Sequence, residues 1–217
     1  MFDWSYLWDV MPVLVEASGV TVFITIAAAA VSMVTGLVFA LGVDRTPRLL
    51  GRIVQELLQF VRVTPLLVQL FFVFYVLPVY GLTLSPITTG VAVIGIHFGA
   101  YACEIYRAGF AAIPRGQHDA IIALNYGRLR AGVAILLPQA VRPMIPAFGS
   151  NIIALLKDTA LMSAIAAPEL VGTGKKISFF SFKYLEVFTA IGIIFLILSY
   201  LFGQFFKLLE QKMSPST

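Results

Sequence analysis

The sequence predicts an all-α integral membrane protein that crosses the bilayer five times. Three observations carry this prediction. Of 217 residues, 59% are hydrophobic and 12% charged, with a mean hydropathy of +0.93, whereas soluble domains carry roughly 25% charged residues. Five stretches supply the run of about 20 predominantly apolar residues that a spanning helix needs, at 20–43, 54–78, 87–106, 143–164 and 185–206. Lysine and arginine gather in alternate connections, the pattern that reports sidedness. The length admits one compact unit, residues 1–217 forming a single transmembrane domain. No basic cluster on a soluble face points to nucleic acid.

Residues 1–19 place Trp4, Leu7, Trp8 and Met11 on one helical face. Tryptophan favours the headgroup region, so a separate helix lying flat on the outer leaflet is expected there, ahead of the first span. This start is acidic and lacks a small-residue cleavage site, so no cleavable signal peptide is expected. The second span begins amphipathically, as RIVQELLQFVR, and turns fully apolar after Pro65. Proline removes a backbone donor, so a long, tilted or kinked helix is expected. In the third span the single cysteine, Cys103, sits in an apolar run, where a lone thiol packs.

Residues 113–138 are too polar to span. One helix over this segment would align Ala120, Ala123, Leu124, Gly127 and Ala131 on a single face. Asp119 near its start would suit the helix dipole, and Pro138 would mark the turn back toward the membrane. Physical chemistry alone leaves two readings open, an ordinary interfacial helix or a docking helix for a cytoplasmic partner.

Sidedness follows from the connections. Arg45, Arg48 and Arg52 lie between spans one and two. Arg107, Arg115, Arg128, Arg130 and Arg142 lie between spans three and four, and Lys207 and Lys212 follow span five. Residues 1–19 and 79–86 hold no Lys or Arg, and only the 165–184 loop dissents, with Lys175, Lys176 and Lys183. The expected orientation has the N-terminus outside and the C-terminus in the cytoplasm.

Ionisable residues inside a span cost about 2.5–3.5 kcal/mol each on insertion scales, so each requires an explanation. Lys157 and Asp158 are adjacent, about 21 Å along the helix from Pro143. Neighbours point about 100° apart and cannot simply neutralise each other. Asp158 would share a face with Ala147, Asn151, Ala154 and Met162, a small and polar stripe suited to a helix interface or a pathway lining. Two readings stand for the pair: a structural ion pair or hydrogen bond to another span, or contact with a zwitterionic solute. Thr159 and Asn151 belong to the same candidate pathway set, as does Gln69, seven residues after Arg62. Glu104 and Arg107 are spaced for a local i, i+3 salt bridge. His97 and His118 have no metal-ligand partner spacing. No catalytic set is visible.

The 116–138 segment, GQHDAIIALNYGRLRAGVAILLP, resembles the EAA motif of ATP-binding-cassette importer permeases: Glu-Ala-Ala, a glycine soon after, then Ile-x-Leu-Pro. Counting back from Pro138 matches Asp119-Ala120-Ile121 to Glu-Ala-Ala and Asn125 to the glycine. Aspartate thus replaces glutamate and asparagine replaces glycine; asparagine tolerates a left-handed backbone, so a turn there survives. RVTPLLVQLFFVFYVLP, GAYACEIYRAGFAAIPRGQ and LLKDTALMSAI are similar to the polar amino acid subfamily of these permeases, in the family's order. Length, the MFDWSYLWDVMP start and the ALN triplet look most like its ectoine/hydroxyectoine branch.

The resemblance implies a MetI-like permease fold in a bacterial inner membrane, carrying a small polar or zwitterionic solute inward. It implies a cytoplasmic coupling helix, on which Asp119, Ala120, Ala123, Leu124, Asn125, Gly127 and Arg128 are the coupling candidates. It also implies three partners: a cytoplasmic ATPase dimer, a second identical or homologous permease subunit, and an extracytoplasmic solute-binding protein. No GxxxxGK[ST] phosphate loop exists; GTGKK at 172–176 lacks the first glycine and the Ser/Thr. ATP hydrolysis is thus expected on a partner, with no cofactor here. The rival readings are a self-contained secondary carrier or channel, which usually carries an inverted repeat, and a membrane enzyme, which needs a clustered catalytic set.

Overall fold

The structure, a computed structural model, describes residues 2–45 and 47–213, the side chains of Asp44, Arg45, Arg48, His118, Arg128 and Leu129 excepted. Every regular element among them is helical. In chain order they are α1 (Trp4–Arg45), α2 (Arg48–Val63), α3 (Leu66–Phe71), α4 (Pro86–Ala111), α5 (Arg115–Ala123), α6 (Arg128–Ala131), α7 (Leu137–Asp158), α8 (Leu170–Ser181) and α9 (Tyr184–Met213). Short π and 3-10 turns extend α3 to Tyr80, join α6 to α7, and carry α7 on through Thr159–Ile165. Three helices, α1, α4 and α9, are each long and apolar enough to cross a membrane; two bent pairs bring the number to five if each pair is one span.

The separate flat helix expected over residues 1–19 is not formed. The 42 residues of α1 run unbroken past Pro12, about 63 Å at 1.5 Å per residue, twice the ~30 Å hydrocarbon thickness. The physical reason is a protein partner for the first turns. Leu7, Val10 and Leu14 are buried against Leu170 of α8 and Val187, Ala190, Ile191 and Ile194 of α9. Trp4 and Trp8, expected on the same face as Leu7, are exposed. The end of the helix is fastened as well. The Asp3 amide donates to Glu186 Oε1 at 2.9 Å, the Lys183 ammonium is bonded to the Asp3 carboxylate, and it lies 4.6 Å from the Tyr6 ring centroid.

Farther along, α1 and α4 approach closely enough to exclude a side chain. A Cβ on Gly36 would lie 2.6 Å from that of Ala102, and one on Gly95 would lie 2.6 Å from Val31. Small residues at such a contact let backbones pack where lipid offers no hydrophobic drive. The core beside it gathers Ile24, Leu70, Ile94, Phe98, Leu155, Met162 and Ile165 from five segments.

The second expected span is broken rather than gently kinked. α2 stops at Thr64, and the chain bends by 98° before the 66–80 segment. Pro65 has no N–H for the Val61 carbonyl, so the helix cannot continue its ladder. The fourth is broken too, by 46° between 132–165 and 170–181. At this break Ala166 is left-handed, with φ 57°. Glu169, fully buried, accepts from the amides of Gly172 and Val171 at 2.7 and 2.9 Å. The Leu170 amide donates to Thr21 Oγ1 of α1 at 3.0 Å. Broken helices persist in an apolar environment when their freed polar groups are met in this way. The 165–184 stretch, expected as a loop, is mostly α8, because Glu169 caps a new helix there.

Candidate functional site

Two regions assemble the residues of interest, one at each end of α7. At its C-terminal end the side chains open to one face are Ala147, Ser150, Ala154 and Lys157, with Asn151 and Asp158 half-buried beside them. Ion pairs among the described residues are Arg62–Glu104, Arg107–Glu104 and Lys183–Asp3; Lys157 and Asp158 take part in none. The structure therefore does not supply the interhelical ion pair that one reading of Asp158 offered.

Two expected members of this face are elsewhere. Met162 is fully buried, because the chain tightens into a 3-10 turn after Asp158. Three residues per turn in place of 3.6 carry position 162 out of register. Its side chain fills the space at Gly90, where a Cβ would lie 2.0 Å from the methionine methyl. Thr159 is also fully buried, and its hydroxyl donates to the Leu156 carbonyl at 2.7 Å.

Gln69 has a structural task that its position in the sequence conceals. Nε2 donates to the carbonyls of Val61 and Thr64 at 2.7 and 3.0 Å. Oε1 accepts from His97 Nδ1 of α4 at 3.3 Å. It splints the broken span and ties it to α4. Nearby, Glu104 and Arg107 form the expected i, i+3 pair at 3.5 Å, and Arg62 adds a second bridge to Glu104 at 3.4 Å, which sequence spacing alone did not reveal. Beyond the bend, the Tyr75 hydroxyl reaches the Ala164 carbonyl at 3.4 Å. The bend thus brings the second broken span against the turn that follows Asp158.

At the other end of α7 the expected single helix over the polar segment is two. α5 ends at Ala123, and Asn125 is left-handed, with φ 48°. The amide of Tyr126 donates to Ile121 O at 3.0 Å, and that of Asn125 to Ile122 O at 3.0 Å. This is a Schellman-type stop, in which asparagine takes the place glycine usually holds. The left-handed turn expected at Asn125 is present. Its consequence is that Gly127 and Ala131 leave the face of Ala120 and Ala123. The chain turns at 124–127 and not at Pro138, which lies in the first turn of α7. Proline is tolerated there because no intrahelical donor is required.

Asp119, Ala120, Ala123, Leu124, Asn125 and Gly127 are all exposed, and the Arg128 side chain lies outside the described residues. Ile122 and Leu124, 76% and 70% exposed, form an apolar tip that sequence reading named only in part. Gln139 of α7 reaches Gln117 of α5 at 3.3 Å, linking this tip to the helix that carries Asp158.

Over residues 32–215 the chain matches the family described as binding-protein-dependent transport system inner membrane component. The chain belongs to this family. It is a MetI-like, all-helical ABC permease of the amino-acid type. It is 36% identical over 169 residues to a probable amino-acid ABC transporter permease protein, y4tG, of Sinorhizobium fredii, covering 78% of this chain and 73% of the relative. It is 31% identical over 214 residues to the glutamine transport system permease protein GlnP of Escherichia coli, covering 98% of each. The crystal structure of an amino acid ABC transporter with histidines superposes with a TM-score of 0.90 at 27% identity, over 98% of this chain and 99% of that one. Permease subunits of this family are not enzymes; ATP hydrolysis belongs to a separate subunit, and the family implies a solute-binding protein. This sets aside the reading as a self-contained carrier.

Proposed function

We propose that the permease carries a small zwitterionic solute, an amino acid or a compatible solute of the ectoine kind, past Asp158, and that the 115–127 segment receives the ATPase. One observation carries the reading. A half-buried carboxylate without an ion pair among the described residues stands on the open face of α7, and the helical run from 128 to 158 connects it to an exposed apolar tip. This run makes between about eight and nine turns of helix with no loop in it, so a push at one end reaches the other, and Pro138, Pro143 and Pro146 mark where its ladder lacks a donor. A zwitterion entering low dielectric needs a counter-charge for its cation, which an ionised carboxylate supplies. Lys157, about 100° round the helix from Asp158 and fully on the open face, suits the solute's carboxylate or the seam with a second permease subunit; Asn151 offers a neutral amide to either group.

The five-span topology, with the N-terminus outside and the tip in the cytoplasm, goes with this reading. It is supported by the Lys/Arg distribution and by counting each bent pair as one span. The test is solute uptake by proteoliposomes holding the complete complex, with amino acids and ectoine as competing substrates. Asp158→Asn should assemble and keep basal ATPase activity while losing most uptake. Normal uptake at matched complex would remove Asp158 from the pathway, and failure to assemble would make it structural.

A further inference from the structure

A recess of about 460 Å³ lies where the turn after α7 meets α8, lined by Ser163, Ala166, Pro168, Gly172, Thr173 and Lys176 among others. Lys175 leans over it, donating to Ser163 Oγ at 2.9 Å. Its lining offers the hydroxyls of Ser163 and Thr173 and the Lys176 side chain, the Lys175 ammonium meets it through Ser163, and no carboxylate lines it. Glu169, the acid nearest in sequence, is fully buried with its oxygens engaged by the Val171 and Gly172 amides, and Lys175 acts on it only at longer range. Ala166, Pro168, Lys175 and Lys176 are exposed, which leaves the recess open. Such a lining selects an anion of carboxylate size.

Its position is set by the 3-10 geometry. Side chains three apart eclipse in such a turn, so Ala160 and Ser163 form one row, and Ala166, left-handed just past its end, lines the recess beside them. The row continues from Lys157, three residues before Ala160 on the open face of α7. At roughly 2 Å per residue, Ser163 is about 10 Å along the axis from Asp158.

We propose that this recess is a second station on the transport path, which holds the solute's carboxylate before its cationic group reaches Asp158. The separation exceeds that between the charges of an α-amino acid, so the two stations are occupied in turn. The order of events rests on the Asp158 reading; anion binding at Lys175 and Lys176 does not.

The test needs no transport. Ala166→Cys in a Cys103→Ala background, in the assembled complex in nanodiscs, places a thiol in the recess. Its reaction rates with an anionic and a cationic methanethiosulfonate are compared. The anionic reagent should react faster by about tenfold or more, as electrostatic focusing raises local anion concentration. A mixture of the common L-amino acids with ectoine should slow it, and the corresponding amino acid amides should not. Lys175→Met together with Lys176→Met should abolish both effects. Because Lys175 is bonded to Ser163, Lys176→Gln alone is the companion variant, and it should lower the anionic rate several-fold. Equal rates for the two reagents, or indifference to carboxylates, overturns the proposal. Protection only by phosphatidylglycerol in the nanodisc, against phosphatidylcholine alone, assigns the recess to lipid headgroups and also overturns it. Asp158→Asn uptake is read separately, so the two readings fail independently.

Discussion

Gln69 Nε2 lies 2.7 Å from the Val61 carbonyl, the acceptor whose helical partner would have been the missing N–H of Pro65. One side chain replaces the bond that the proline removes. Gln69→Leu should lower the melting temperature of the detergent-solubilised complex, corresponding to about 1 kcal/mol for a lost bond to a part-buried acceptor. Pro65→Ala should offset part of that loss, because alanine restores a donor at position 65. Equal melting temperatures for Gln69→Leu and the wild type would remove the splint.

Asn125, with φ 48°, makes a second, sharper case. Asn125→Gly should keep assembly and ATPase coupling, since glycine adopts the left-handed region without a Cβ penalty. Asn125→Val should weaken both, at a cost of about 1–2 kcal/mol for a branched residue there. Co-purification of the ATPase and solute-stimulated hydrolysis, measured side by side, check the order.

The exposed tip predicts uncoupling without unfolding. Ile122→Glu and Ala123→Glu place a carboxylate on a surface that the isolated chain leaves open, so membrane insertion should be unchanged. Burying that charge against a partner costs several kcal/mol, and both ATPase retention and transport should fall. Wild-type values for both would place the docking surface elsewhere.

Orientation has its own measurement. In a Cys103→Ala background, Gly81→Cys should react with an impermeant thiol reagent from outside the cell, and Gly116→Cys only after the membrane is opened. A Cβ at either glycine meets nothing within 4 Å; Gly81 has φ 87°, so Gly81→Cys carries a local backbone strain of about 1–2 kcal/mol in an exposed turn, which Gly116→Cys does not. The reverse labelling would invert the topology.

The Asp3–Lys183 contact predicts a pH window. Lys183, helped by the Ser5 hydroxyl and the Tyr6 amide, holds the Asp3 carboxyl well below its ordinary range, and Asp3 raises the Lys183 ammonium above its own. A lowered acid stabilises fully above its unfolded pKa of 3.8 and loses this as pH falls through the folded value. A raised base stabilises fully below 10.5 and loses this as pH rises through the folded value. Amide exchange in residues 3–10, corrected for intrinsic rate, should be flat between about pH 5 and about pH 9. Lys183→Met should speed it throughout that range.

The three unbroken spans and the left-handed turn at Asn125 were legible because their causes are local: continuous apolar length, and a residue type suited to one backbone region. The breaks were less legible because remote groups complete them. Gln69 acts eight residues from the carbonyl it satisfies, and Thr21 is 149 residues from the Leu170 amide that it accepts from. A window sliding along the sequence sees the proline and not its remedy. The misplacement of Met162 has a similar source, since a change from 3.6 to three residues per turn re-aims every later side chain. Asp158, Lys157 and Asn151 were legible as candidates because charge and amide in an apolar run are conspicuous. Thr159 was named with them, and its burial was not legible, since a hydroxyl can turn back to its own helix.

The fastening of Asp3 to Lys183 and Glu186 also bears on how the protein is made. The partners are separated by 180 and 183 residues, so the contact cannot exist until Lys183 and Glu186 have been made. At about 5–20 residues per second, the leading helix waits on the order of ten seconds or more after emerging from the ribosome. Throughout that interval the face of Leu7, Val10 and Leu14 has no α8 or α9 to cover it, and the surrounding lipid or the insertion machinery must shield it. Synthesis of α9 is thus the step that seats the start of α1.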